Sequence, residues 1–295
     1  MPLDLWQTAQ ESFAGYARWV VQDALTPGWG SYATLLVAVS LFAFALERLR
    51  PWRREQALLR RDFALDAFYM AFNFFGFGLL GYVALSDVSA ALVLEARRSL
   101  GLEGALLDVS GLPHAAQLLL LFVLRDLVHY GIHRILHTVP FLWRVHEVHH
   151  SVREMGFAAH LRYHPLETVV YRSLEYVPFA LVGFGPGDFF LVHAFSLLVG
   201  HLNHSNVAYP LGPLRYVLNS SRMHLWHHAK ALPETRRQAH GGVNFGLTLS
   251  CWDWLFGTAH WPHDDPKLEL GFEGVEAYPQ GFLGHLAAPF RRARL

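Results

Sequence analysis

The sequence predicts an all-α, integral-membrane helical bundle with about four transmembrane helices or re-entrant hairpins. Three observations carry that expectation. Of 295 residues, 53% are hydrophobic and 16% are charged, more apolar and poorer in charge than an ordinary soluble domain. Two separate uncharged runs, residues 27–46 and 67–85, have the length that crossing a bilayer core requires, roughly 20 helical residues. Histidines recur at helical spacing beside apolar segments. Five of them fall in "HRILHTVPFLWRVHEVHH", residues 133–150, far more than 19 in 295 would place there by chance.

Net charge is zero with histidine neutral, so the electrostatic footprint of a nucleic-acid binder is missing. The single cysteine, Cys251, excludes a disulfide framework or a thiolate metal site within one chain. Residues 1–26 carry Asp4, Glu11, Arg18 and Asp23 and lack the continuous apolar core of a secretory signal. Trp6, Phe13, Tyr16, Trp19 and Val20 recur at helical spacing. They fit an interfacial amphipathic helix and equally a helix packed on the body. The first span, 27–46, runs into the basic loop "ERLRPWRREQALLRR", residues 47–61. Basic loops between spans lie on the cytoplasmic side, so the first two spans form a hairpin with its tip inside. Residues 86–111 read as a polar connection on the opposite side. A third apolar run, 112–128, is interrupted by Arg125 and Asp126 and returns the chain to the cytoplasmic face. Two shorter apolar segments within 168–203 flank "GFGPGD", residues 183–188, a breaker cluster suited to a re-entrant or spanning hairpin. The expected organisation is an N-terminal amphipathic segment (1–26), a transmembrane hairpin with its connection (27–111), a histidine-bearing domain (112–260) and a C-terminal tail (261–295).

Residues three or four apart on a helix share a face. His129, His133 and His137 therefore form a stripe at the end of the third apolar helix. His146, His149 and His150, spaced i, i+3, i+4, converge on one point, and His224, His227 and His228 repeat the pattern in "HLWHH". His201 and His204 lie between them at i, i+3. So many imidazoles exceed the needs of one tetrahedral zinc, which points to two metals. Imidazole suits iron, copper, nickel and zinc alike, so ligand type alone does not name the metal. A histidine pH switch is the competing reading.

"HRILH", "HEVHH" and "HLWHH", in that order between apolar hairpins, resemble the three histidine boxes of the fatty acid hydroxylase / sterol desaturase superfamily. "ERLRP", "RYHPLE" (162–167), "HSNV" (204–207), "NFG" (244–246) and "WDWLFGT" (252–258) resemble it too. The resemblance covers roughly residues 40–258. It implies an integral-membrane di-iron oxygenase, multi-pass, whose catalytic domain is 112–260. It would hydroxylate or desaturate a lipid or sterol-like C–H bond with O2. Carried over residue by residue, the metal ligands are His133 and His137, then His146, His149 and His150, then His224, His227 and His228, with His204 as an additional histidine between boxes. His201 and His129 are spaced to join them, but the resemblance does not fix their roles. For His164, in "RYHP", a helix-start role and a site role both fit, and His160 and His240 belong to no box.

The chemistry explains the pattern. Breaking an unactivated C–H bond needs a redox-active metal, which zinc is not, although zinc can replace the two irons in purified protein because its intrinsic affinity is higher. Apolar surroundings suit a lipid and keep water from the reaction. Asp126, Glu147, Glu167, Asn206, Asn244 and Asp253 are candidates to anchor the second ring nitrogens, while Trp252, Trp254 and Phe256 read as membrane-interface anchors. No P-loop, GxGxxG or fused cytochrome motif is visible in the sequence. The electrons then come from a separate protein of ferredoxin or cytochrome b5 type. Two other classes compete: a non-enzymatic membrane metal transporter or sensor, and a zinc-dependent hydrolase. Transport calls for a polar path at mid-span, whereas the first two spans carry no charge and the histidines cluster at span ends on one face.

Overall fold

The computed structural model describes residues 4–101, 108–180, 184, 186–209, 211–232, 241–261 and 267–291. Gly183 and His240 lie outside them. The described residues form helices joined by tight turns, with no named strand and three isolated bridges, Pro51 with Val207, Leu218 with Leu249, and Ala229 with Leu270.

Helix α1 (Leu5–Leu25) starts where the Asp4 carboxylate accepts from the Trp6 and Gln7 amides, satisfying donors that a helix start leaves open. Asp23, near its other end, accepts from the Tyr32 and Ala33 amides at 3.0 and 2.8 Å and so caps α2 (Tyr32–Leu49). Helix α1 packs on the body of the protein. Tyr16 donates to the Phe75 carbonyl (3.1 Å), and its ring lies so close to Gly78 that a Cβ there would sit 2.2 Å away. Helix α1 still exposes Trp6 and Leu25 on its outer side.

The expected second span is not one continuous helix. Helix α3 (Phe63–Ala71) passes through two π-turns, and the chain kinks at Gly81, whose φ of 95° favours glycine, before α4 (Val83–Ser99). Most of the stretch read as a polar connection is thus helical, to Ser99. Its residues, AALVLEARRS, are good helix formers, and α1 packs along it.

Helix α5 (His114–Thr138) and α6 (Pro140–His150) meet at Val139. Pro140 forces the residue before it out of the helical region, so the chain turns between the first and second histidine boxes. Helix α7 (Pro165–Ala180) and α8 (Pro186–His204) form the next pair, and α9 (Ser221–His227) carries the third box. Two short helices follow, α10 (Cys251–Leu255) and α11 (Phe282–Ala287).

Helices α2 and α5 are long and apolar enough to cross a membrane, and only 22% and 28% of their most apolar windows are buried by protein. A core helix of a soluble protein would be mostly buried. These instead expose Leu41, Phe42 and Leu119.

The basic loop after α2 packs against the histidine-bearing end. Glu47 accepts from the Phe157 and Asn206 amides at 2.8 Å each, Arg53 N donates to the Asn206 side chain at 2.8 Å, and Gln56 donates to the Met155 carbonyl at 2.7 Å. The C-terminal segment is packed too. Lys230 N donates to the Glu269 carbonyl and Gly271 N to the His228 carbonyl, each at 2.9 Å, directly behind the third box.

Candidate metal centre

Among the described residues, nine imidazoles gather in two adjoining sets. His133, His137, His146, His150 and His227 form one, and His149, His204, His224 and His228 the other; within each set one ligand nitrogen per residue lies within 4.8 Å of the rest. The sets share a wall, since the His150 and His228 rings stack at 4.3 Å and those of His227 and His228 lie 5.2 Å apart. The sequence spacing suggested that each HxxHH converges on one point. Instead each box divides. His146 and His150, i and i+4 on α6, face the first set, and His149 faces the second. His224 and His228 face the second set, and His227 the first.

The inner nitrogens are spaced as ligands are. His133 and His146 Nε2 lie 3.2 Å apart, His149 and His204 3.2 Å, His204 and His224 2.9 Å, and His224 and His228 3.1 Å. Two nitrogens on one ion at about 2.0–2.1 Å sit roughly 2.9–3.4 Å apart, depending on the angle. His137, His150 and His227 each hold a buried Nε2 with no hydrogen-bond partner, a costly arrangement unless the site takes a ligand. Burial pushes His146 down to about 3, and burial with the neighbouring His146 pushes His149 down to about 3. Burial holds His224, His227 and His228 well below the ordinary histidine value. Neutral imidazole is the form that binds a metal, so the donor set fits two transition-metal ions.

The outer nitrogens fix the rings. His146 Nδ1 donates to Glu167 at 3.0 Å. His133, His149, His204 and His227 donate to the carbonyls of Phe245, Arg162, Gly200 and Val243 at 2.8, 3.1, 2.8 and 2.8 Å. Two of those carbonyls belong to one loop, 243–246, which is itself clamped. Asp253 accepts from the Phe245 and Gly246 amides at 2.8 and 2.9 Å and from the Thr258 hydroxyl at 2.6 Å. Asn244, at φ 54°, donates to the Met223 and His260 carbonyls at 2.9 Å each. The Arg162 carbonyl is positioned through its guanidinium, which pairs with the buried Asp66 that also holds Arg60.

Two nominated histidines lie outside both sets. His129 Nε2 meets Glu175 at 2.9 Å, beside the Arg125–Glu175 ion pair, and His201 lies against His160 (2.9 Å) and Ser40 (3.3 Å). His164 takes the helix-start role: it accepts from the Leu166 amide at 3.1 Å and lies 3.2 Å from the Leu286 carbonyl. Of the expected anchors, Glu167 binds a cluster ring directly. Asn244 and Asp253 act through the loop. Asp126 instead accepts from the Thr248 and Leu249 amides and from the Trp252 indole at 3.1, 3.0 and 3.0 Å. Trp252 is thereby a latch between α10 and α5, because a half-buried indole N–H needs an acceptor, while Trp254 and Phe256 are exposed. Asn206 ties the basic loop to α8, and Glu147 lies beside Arg144 and Trp143. Sequence reasoning missed the backbone carbonyls, which carry no residue-type signal, and the C-terminal segment, which carries no histidine box.

These features define a helical protein built around two buried, all-imidazole sites. The family model for fatty acid hydroxylase matches residues 118–258, a range that contains all nine clustered histidines. The chain is 36% identical over 180 residues to ornithine lipid hydroxylase OlsE of Rhizobium tropici, covering 61% of this chain and 52% of that protein. It is 34% identical to human alkylglycerol monooxygenase over 45% of this chain and 28% of that one. Methylsterol monooxygenase 1 of Rattus norvegicus is 29% identical over 46% of this chain and 44% of its own length. Residues 118–258 thus carry the fatty acid hydroxylase pattern, and the relatives the chain resembles are lipid and sterol oxygenases by name. It spans about half the length of the first of these relatives and less than a third of the second. No solved structure matches it.

Proposed function

We propose that the chain is an integral-membrane di-iron oxygenase that hydroxylates a lipid or sterol-like C–H bond, using O2 and electrons from a separate ferredoxin- or cytochrome b5-type protein. The observation that carries this is the pair of adjoining, neutral, inward-facing imidazole sets. His133, His137, His146, His150 and His227 would hold one iron, and His149, His204, His224 and His228 the other. When bound, the irons supply the redox chemistry that O2 activation requires. The chain's own residues hold Nε2 inward by fixing Nδ1 of His133, His146, His149, His204 and His227, keep the rings unprotonated, and wall the site with Trp143 and Phe245 so that water is excluded. Hydroxylation is favoured over desaturation because three relatives bear the names hydroxylase or monooxygenase. The exposed apolar faces of α2 and α5 support spanning helices, and the α3–α4 and α7–α8 segments would complete about four spans or re-entrant hairpins. The basic loop at that end supports a cytoplasmic site.

The test is elemental analysis of the purified chain together with product assay under O2 and under argon. Two iron or zinc equivalents per chain and oxidised lipid under O2 alone are expected. One equivalent or none in folded protein, or turnover under argon, would sink the reading.

A further inference from the structure

A line of aromatic rings leaves the five-histidine set and ends on a tyrosine–histidine pair. Trp143 packs on His137 and His150 at 4.9 and 5.2 Å between ring centres. Phe272 follows at 6.1 Å from Trp143, Tyr278 at 5.2 Å from Phe272, and His285 at 5.6 Å from Tyr278. The His285 ring stacks on Tyr69 at 5.9 Å, and the Tyr69 hydroxyl lies 3.0 Å from His285 Nδ1. Tyr69 and His285 are 0% and 2% exposed. With Nδ1 unprotonated, the Tyr69 hydroxyl at hydrogen-bond distance is the donor.

From this geometry we infer that Tyr69 and His285 form a redox-active pair, which takes an electron vacancy off the five-histidine centre by way of Trp143, Phe272 and Tyr278. The inference rests on the proposed O2 chemistry for its oxidant. Iron held by the five-histidine set would supply the one-electron oxidant when no substrate C–H bond is at hand; the Trp143 indole gives up one electron to it, and that electron is replaced through the line from Tyr69. As Tyr69 loses its electron, its O–H bond breaks and an N–H bond forms at His285 Nδ1. A neutral tyrosyl and an imidazolium result, and the bound iron would keep the electron. One electron from the external donor, with return of the proton, restores the pair. Tyr278 is unsuited to be the end of the line. Its buried hydroxyl has no hydrogen-bond partner, so an oxidised Tyr278 has no base to take its proton. Tyr69 has one at hydrogen-bond distance. The pair touches no clustered histidine, which separates this role from metal binding.

The decisive experiment uses zinc-loaded protein in detergent, oxidised by flash photolysis with a ruthenium polypyridyl and a cobalt(III) quencher, and read by electron paramagnetic resonance. A neutral tyrosyl signal is expected, lost in Tyr69→Phe and lost in His285→Gln at unchanged zinc content. Iron-loaded, reduced protein exposed to O2 without lipid should give the same signal, and Trp143→Phe at full iron content should abolish it. No signal in folded zinc protein, or a signal that survives Tyr69→Phe, overturns the inference. Lipid oxidation with no Tyr69 signal in either sample rejects the pair and leaves the oxygenase reading standing. A Tyr69 signal in the zinc protein with no O2-dependent product rejects the oxygenase reading and leaves the pair standing.

Discussion

Among the described residues, Glu167 is the one carboxylate that anchors a clustered ring, His146, while the other observed anchors are backbone carbonyls. A carboxylate raises the basicity of the ring it holds more than a neutral carbonyl does. Glu167→Ala is therefore expected to weaken zinc binding by about 10–100-fold, the usual cost of losing such a partner. Chelator competition on the purified variant measures it, and unchanged affinity would show that His146 is held by packing alone. The same rings set the pH response. His146 and His149 sit at about 3 in the folded chain, against about 6.5 for a free imidazole. Between those values the unfolded chain binds protons that the folded chain refuses, so stability is full above about 6.5 and falls as pH drops toward about 3. Metal-free protein should melt at a lower temperature at pH 5.5 than at pH 7.5. An equal or higher melting temperature at pH 5.5 would contradict the buried, neutral state of the rings.

Among the elements, the loop at 243–246 bears most on the site, since its carbonyls orient one ring from the first box and one from the third. Gly246 permits the clamp. A Cβ there would lie 2.4 Å from the Leu249 carbonyl and 2.8 Å from the Asp253 carboxylate, so backbone must shift. Gly246→Ala should lower metal occupancy with the helices retained, as circular dichroism beside elemental analysis would show. Full occupancy would mean that the loop follows the rings. The histidine boxes were legible because i, i+4 spacing on a helix is a local property, and Pro140 marks the turn that brings two boxes together. The allocation of His149 and His227 to opposite sets was not legible, because it depends on where α6 and α9 meet in space. Nor was the helical run to Ser99: Asp87, Glu95, Arg97 and Arg98 read as a solvent-facing connection until α1 is known to lie along it.

For the molecule as a whole, the hydrogen bonds from residues 47–56 to Met155, Phe157 and Asn206 put the basic loop at the same end as the histidines. Single cysteines at Glu55 and Glu273, in a Cys251→Ser background, should react with an impermeant maleimide from the same side of sealed vesicles. Opposite sidedness would break the topology and the oxygenase reading with it. Composition and the uncharged runs made the membrane class legible. The number of crossings was harder to read, because π-turns and Gly81 break the second apolar run where hydropathy alone sees an unbroken one.

The backing of His228 by Gly271 has a bearing on biosynthesis. The last box is made by residue 228, yet the chain that supports it, and the Phe272 ring that covers Trp143, is synthesised some forty residues later. A ribosome-bound nascent chain ending short of Gly271 holds every imidazole of both sets and their ring anchors, and lacks the segment that backs His228 and covers Trp143. On the proposed reading, a chain stopped in the 260s would carry every imidazole of both sets and bind metal less firmly than the longer chain.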